Sequence, residues 1–131
     1  MNALRKKILL VDDSKTILLQ ERMILGNGTW ELVTAVDGEE AVERARAELP
    51  DLILMDVVMP RMNGFDACRR LRSGADTARI PVIMVTTRGE MESVVAGYES
   101  GCTDYVIKPI DAQELLVKVE CYLGGGDALP S

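Results

Sequence analysis

Four short apolar runs of the sequence each end in polar or charged residues that can do chemistry. The runs are residues 8–11, 52–55, 82–85 and 105–107, and the residues that follow them are Asp12 and Asp13, Asp56, Thr86 and Thr87, and Lys108. Carboxylates, hydroxyls and an amine can together bind a hard cation and a phosphoryl group. Taken singly, each residue also fits an ordinary turn, a helix N-cap, a strand position or a surface charge.

The sequence of 131 residues contains no histidine. This excludes Ser-His-Asp and Cys-His catalysis, zinc sites built on histidine and a phosphohistidine formed by the chain itself. Any chemistry must come from carboxylates, hydroxyls, lysine, thiols or a bound metal. The cysteines at positions 68, 102 and 121 have no C-x-x-C spacing and cannot all pair. We therefore expect buried or half-buried free thiols in a reducing compartment.

Apolar runs alternate with amphipathic segments along the chain. Strands are predicted at residues 8–11, 30–36, 52–55, 82–85 and 105–107, which are continuously apolar or rich in β-forming residues. Helices are predicted after Ser14, Gly38, Gly64 and Asp111, and over residues 90–100. This alternation predicts an α/β fold, (βα)5, in which a doubly wound parallel sheet of five strands carries helices on both faces.

Helical spacing also predicts which side chains are buried. Leu49 shares a face of the second predicted helix with Val42 and Ala45, whereas Arg72 lies on the outer face of the third. The chain length indicates one domain. We expect it to span residues 1–123, with residues 124–131, which begin with three glycines, as a tail or the start of a linker.

The strand-end residues are expected to converge, because parallel sheets bind ligands beyond the carboxyl ends of their strands. Three carboxylates at one rim repel each other, so the site needs a cation or protonation. Oxygen ligands favour Mg²⁺, which Mn²⁺ can replace. Beside such a cation a carboxylate can attack phosphorus and form an aspartyl-phosphate.

Five motifs in order resemble the receiver domain of two-component response regulators, a flavodoxin-like fold also called CheY-like. They are residues 11–14 (VDDS), 54–60 (LMDVVMP), 63–64 (NG), 85–87 (VTT) and 105–109 (YVIKP). The resemblance covers roughly residues 6–123 and implies the strand order 2-1-3-4-5.

The resemblance also implies residue roles. Asp56 would accept a phosphoryl group from the phosphohistidine of a histidine kinase or a histidine phosphotransfer protein. Asp13, Asp56 and the backbone carbonyl of Val58 would coordinate Mg²⁺, with Asp12 acting mainly through water. Lys108, joined to Pro109 by a cis bond, would pair with the phosphoryl group.

Two further residues would form the switch. Thr86 would move to bond the new phosphoryl oxygen, and Tyr105 would swing inward behind it; Tyr105 also fits a half-buried aromatic of an edge strand. Val58 and Arg88 would flank the path of an attacking water, and Val58 offers no hydrogen bond to orient it. We therefore expect slow autodephosphorylation.

The whole net charge of −6 lies in residues 90–131, which carry Lys108 and Lys118 against eight acids. Such a balance argues against nucleic-acid binding. The acids form a solvated surface or a patch for a partner. In receivers this region, the fourth helix, fifth strand and last helix (the α4-β5-α5 face), commonly contacts an output domain, a downstream protein or a second copy. A homodimer that forms on phosphorylation is thus a further expectation.

Other functions fit less well. A phosphatase of the haloacid dehalogenase type needs a second Asp where this sequence has Val58, so we expect no turnover of external substrates and no enzyme. A flavodoxin-like cofactor carrier needs a Ser/Thr/Gly-rich phosphate loop after the first strand, where Asp12 and Asp13 would repel phosphate. A degenerate receiver that binds proteins without phosphorylation remains the alternative.

The sequence has neither a signal-peptide start nor an apolar run near the ~20 residues of a membrane span. It therefore predicts a cytoplasmic protein without membrane contact. The chain fits a free-standing receiver and equally a receiver from a longer regulator.

Overall fold

A computed structural model of the chain describes residues 5–26, 29–87 and 98–124. Five parallel strands form one sheet in the order β2-β1-β3-β4-β5. The strands are β1 (Lys7–Val11), β2 (Glu31–Ala35), β3 (Leu52–Asp56), β4 (Val82–Thr87) and β5 (Asp104–Lys108). The predicted fold class and strand order are confirmed, and the predicted strands agree with these to within one or two residues at each end.

Four helices lie in the described ranges: α1 (Lys15–Leu25), α2 (Gly38–Glu48), α3 (Gly64–Arg72) and the C-terminal helix (Ala112–Leu123). Each begins after a side chain that accepts the backbone N–H three residues later, which satisfies one of the free donors at a helix start. The four caps are Ser14, Asp37, Asn63 and Asp111. Most of the helix predicted over residues 90–100, and the tail beyond Gly124, lie outside the described residues.

The sheet separates two hydrophobic clusters, because successive strand residues point to opposite faces. One cluster joins Leu9 and Ile53 to the apolar stripes of α2 and α3. The other joins Leu10 and Leu54 to α1 and the C-terminal helix. All five residues of β3 are buried, so the central strand reads as a continuous apolar run that ends in one acid. This arrangement fixes Asp56 at the carboxyl edge of the sheet.

Three predicted side-chain positions were wrong. Leu49 is 50% exposed because it forms the C-cap of α2 in a left-handed conformation (φ 47°), which turns it off the buried face. Arg72 points inward, where it donates hydrogen bonds to the carbonyls of Ile80 (2.8 Å) and Gly101 (2.9 Å). Cys121 is exposed, whereas Cys68 and Cys102 are buried free thiols as expected.

Within the ranges described here, no helix combines the length and the apolar character needed to cross a membrane.

Candidate functional site

The strand-end residues meet at one edge of the sheet. Asp56 ends β3 and pairs in register with Val85 of β4, and Lys108 ends β5 opposite Thr87. Asp12 follows β1 directly, and its N–H donates to the carbonyl of Ala35 at the end of β2. The order of strands thus brings together side chains that are up to 96 residues apart in the sequence.

Three carboxylates lie close together at this edge of the sheet. Each of Asp12, Asp13 and Asp56 offers an oxygen that lies within 4.8 Å of those of the other two. Asp12 is 1% and Asp56 6% exposed, whereas Asp13 is exposed to solvent. An acidic cluster with two buried members and one open side has the donor set that Mg²⁺ prefers, and it leaves room for water ligands. The residues therefore fit a magnesium ion.

Lys108 lies against the two buried acids. Its Nζ is 3.2 Å from Asp56 Oδ1 and 3.5 Å from Asp12 Oδ2. Burial alone would favour the neutral amine, but the two carboxylates hold the pKa of Lys108 above its usual value. The ammonium group is therefore retained inside the site. The Lys108–Pro109 bond is cis, as the resemblance implied.

Burial makes the acids reluctant to ionise. It raises the pKa of Asp56 to about 6, and the nearby Asp12 carboxylate raises it further against the opposing effect of Lys108. The pKa of Asp12 is also raised, chiefly by burial, although its Oδ1 accepts the Ser14 N–H at 2.9 Å. Without a cation the site thus holds more negative charge than its surroundings favour.

The loop after β3 is packed tightly against the end of the strand. The Gly64 N–H donates to the carbonyl of Val57 (2.8 Å), and the Val57 N–H donates to that of Val85 (3.3 Å). A Cβ at Gly64 would overlap the backbone carbonyl of Asp56. The Asn-Gly pair therefore serves two purposes, because Asn63 caps α3 and Gly64 permits the close approach. Val58 is 59% exposed at the start of this loop.

Thr86 and Tyr105 occupy neighbouring strands beside the site. Thr86 is 3% exposed near the end of β4, and its Oγ1 lies 3.5 Å from the Thr87 carbonyl. Tyr105 is half-buried in β5 opposite Met84 and packs against the cluster that contains α2 and α3. Arg88, which was expected to flank the site, lies outside the described residues.

Sequence reasoning missed a fourth carboxyl group, Glu21. It lies on α1 with 1% of its surface exposed, and its Oε1 has no hydrogen-bond partner among the described residues. Burial, reinforced by the Asp12 carboxylate, raises the pKa of Glu21 to about 8. Leu18 and Leu25, three residues before and four after, are both buried. An acid where helical spacing requires an apolar residue was the signal that could have revealed it.

Comparison with known proteins identifies the family of the chain. The sequence model described as the response regulator receiver domain matches residues 8–120. The protein PilH of Pseudomonas aeruginosa is 41% identical over 119 residues, an alignment that covers 91% of this chain and 98% of PilH. Several other curated relatives are longer, and the chain spans about half of their length.

Solved structures show the same fold. A response regulator from Chloroflexus aurantiacus superposes with a TM-score of 0.87 at 33% identity, covering 92% of this chain and 98% of that one. The receiver domain of sensor histidine kinase PA1611 from Pseudomonas aeruginosa, solved with a magnesium ion coordinated in its active-site cleft, gives 0.85 at 28% identity, with the same coverage. The chain therefore belongs to the response regulator receiver domain family, the CheY-like signalling modules of two-component systems.

Proposed function

We propose that Asp56 is the phosphoacceptor of a signalling switch, which takes its phosphoryl group from the phosphohistidine of a histidine kinase or a histidine phosphotransfer protein. One observation carries the proposal: the buried Asp56 carboxylate lies in a cluster with Asp12 and Asp13 and 3.2 Å from the Lys108 ammonium. A nucleophile, a cation site and a fixed positive charge are thus in one place. The chain lacks histidine, so the donor must be a second protein.

The acidic cluster supplies the metal site of this proposal. Asp13, Asp56 and the backbone carbonyl of Val58 would hold Mg²⁺, or Mn²⁺ in its place, and Asp12 would act through water. The bound ion would neutralise charge on the phosphoryl oxygens during transfer. A magnesium ion in the cleft of the related kinase receiver domain supports this assignment.

Lys108 and Thr86 would stabilise the phosphoryl group as it is transferred to Asp56. An Asp56 oxygen attacks phosphorus, the bond from phosphorus to the donor imidazole nitrogen breaks, and its electron pair stays on that nitrogen. Lys108, with its ammonium held between two carboxylates, is placed to pair with a phosphoryl oxygen as charge develops. The Thr86 hydroxyl would donate to another. No second acid lies where a phosphatase needs one, since that position is Val58.

Phosphorylation would then change a surface distant from the acid cluster. It adds charge and strong hydrogen-bond acceptors beside Thr86 and Tyr105, and the movement of these two side chains would alter the face formed by β5 and the C-terminal helix. We propose that this face contacts a downstream protein, a fused output domain or a second copy of the chain. Its acidic character predicts weaker partner binding at higher salt.

The proposal includes the bounds of the domain and its location in the cell. Residues 1–123 would form the receiver and residues 124–131 a tail or the beginning of a linker. The domain would act in the cytoplasm, where its kinase supplies the phosphoryl group, without direct contact to nucleic acid or membrane.

Intact mass spectrometry tests the phosphoacceptor. The protein is incubated with Mg²⁺ and a small acyl phosphate, and we expect the mass of one phosphoryl group to be added. Asp56→Asn should add none, whereas Asp76→Asn, an exposed acid away from the site, should behave as the wild type. Equal labelling of D56N would place the phosphoryl group on another residue and refute the assignment. No labelling of any form would favour a binding module that works without phosphorylation.

A further inference from the structure

Tyr105 is held by a set of polar contacts that involve Asp104 and the C-terminal helix. The Lys118 ammonium, on the C-terminal helix, donates a 2.6 Å hydrogen bond to the Tyr105 carbonyl. It also lies 3.3 Å from Asp104 Oδ1 and 3.5 Å from Glu114 Oε2. Lys118 is thus fixed at one backbone carbonyl and between two acids.

Lys118 also contacts the ring of Tyr105. Its Nζ is 5.3 Å from the ring centroid, within the range of a cation–π interaction. The Tyr98 ring meets the same ring edge-to-face, with the centroids 6.2 Å apart. The ring therefore has two specific neighbours, and both attract it in its present position.

Asp104 connects Lys118 with Tyr105 and Tyr122. Its Oδ1 accepts the Tyr105 N–H at 2.8 Å, and its Oδ2 accepts the Tyr122 hydroxyl at 2.9 Å. Burial and the Asp104 bond raise the pKa of Tyr122 to about 12, which keeps this donor protonated. Asp104 thereby holds Lys118 from the strand side while Glu114 holds it from the helix. We call Asp104, Glu114, Lys118 and Tyr122 the Tyr105 clamp.

Rotation of the Tyr105 side chain affects these contacts unequally. The hydrogen bonds to its N–H and carbonyl involve the backbone and persist when χ1 changes. The contacts with the Lys118 ammonium and the Tyr98 ring belong to the aromatic group and are lost. The clamp therefore favours the present ring position while leaving the strand undisturbed.

We propose that Lys118 is a positioning residue, which holds the Tyr105 ring in the resting state and so opposes its inward movement. This inference rests on the proposed function, in which Tyr105 moves when Asp56 is phosphorylated. Loss of a cation–π contact at a partly exposed site changes a conformational equilibrium by roughly two- to fivefold. The clamp thus sets how much of the unphosphorylated protein already has the ring turned inward.

Fluorine NMR of protein labelled with 3-fluorotyrosine measures the ring directly. The chain has three tyrosines, so three signals are expected, and Tyr→Phe variants assign them. Lys118→Met should move the Tyr105 signal in the unphosphorylated protein, Glu114→Gln should move it less in the same direction, and Lys118→Arg should restore it. Lys6→Met, the same change at an exposed lysine, should leave it in place. An unchanged Tyr105 signal in folded K118M would overturn the proposal.

Binding of beryllium fluoride with Mg²⁺, a non-covalent mimic of the phosphoryl group, tests the link to the switch. Lys118→Met should bind it roughly two- to fivefold more tightly, and Lys118→Arg and Lys6→Met should match the wild type. Equal or weaker binding by K118M would contradict the clamp. Failure of the wild type to bind it would instead contradict the proposed function, while the fluorine signals of the unliganded protein would still decide whether Lys118 holds the ring.

Discussion

A buried carboxyl group costs free energy when nothing donates a hydrogen bond to it, and Glu21 Oε1 is such a group among the described residues. Burial, reinforced by the Asp12 carboxylate, raises its pKa to about 8, so at neutral pH the group is mostly protonated and adds little negative charge to the site. The protein retains an acid where an apolar residue would pack more favourably. Glu21 is therefore the residue at which stability should depend most clearly on pH.

Glu21→Gln should remove a pH-dependent loss of stability. The folded protein raises the pKa of Glu21 from 4.5 to about 8, so it binds this proton more tightly than the unfolded chain does. The stability contributed by the proton is fully present below about pH 4.5 and is lost as the pH rises to about 8, at up to ~1.4 kcal/mol per pH unit. Urea unfolding across this range should show a flatter profile for E21Q. Parallel profiles for E21Q and the wild type, with exposed Glu43→Gln as control, would contradict this explanation.

Asp56 should likewise cost stability until a cation binds. Its pKa is raised from 3.8 to about 6, so the ionised form destabilises the folded state as the pH rises through that interval. At neutral pH, Asp56→Asn should stabilise the metal-free protein by about 1–3 kcal/mol. Unfolding in a chelator and then in Mg²⁺ measures this, because Mg²⁺ should stabilise the wild type far more than D56N. Equal stabilisation of both would remove Asp56 from the metal site.

At the scale of elements, the junction between β3 and α3 determines the geometry of the site. Gly64→Ala would place a Cβ against the Asp56 carbonyl and the Val57 Cα, both of them backbone atoms. We expect a loss of about 1–3 kcal/mol in the free energy of unfolding and weaker Mg²⁺ binding, since the end of β3 must shift. Gly124→Ala is the control, because a Cβ there introduces backbone strain (φ 65°) but meets no atom of the described residues within 4 Å. If G64A matched this control in both measurements, the close approach would be irrelevant.

Features of the helices and strands that depend on the local sequence pattern could be predicted. Features that depend on how the elements pack against each other could not. Buried strands appear as continuous apolar runs, so strand ends, and with them Asp12, Asp56 and Lys108, could be placed from sequence. Spacing could not reveal that α2 ends in a left-handed turn at Leu49. Nor could it reveal that Arg72 reaches the carbonyls of two distant loops. The contacts of Lys118 depend on how the C-terminal helix packs on β5, and this packing cannot be predicted from a short sequence motif.

At the scale of the whole molecule, the sheet connects two functional regions. Its carboxyl edge gathers the acid cluster and Lys108, and β5 runs from that edge to the clamp around Tyr105. The excess negative charge lies in the last third of the chain, and two of its acids, Asp104 and Glu114, belong to the clamp. A phosphoryl group added at Asp56 and a partner bound at the acidic face would therefore act on the same strand, from opposite ends.

The central claim is that Asp56 is the residue that carries the phosphoryl group. Reduction of the phosphorylated protein with borohydride converts an aspartyl-phosphate to homoserine, and peptide mass mapping then locates it. After incubation with Mg²⁺ and an acyl phosphate we predict homoserine at position 56, and none when a chelator replaces Mg²⁺. Homoserine at position 12 or 13, or the same yield in the chelator, would contradict the account.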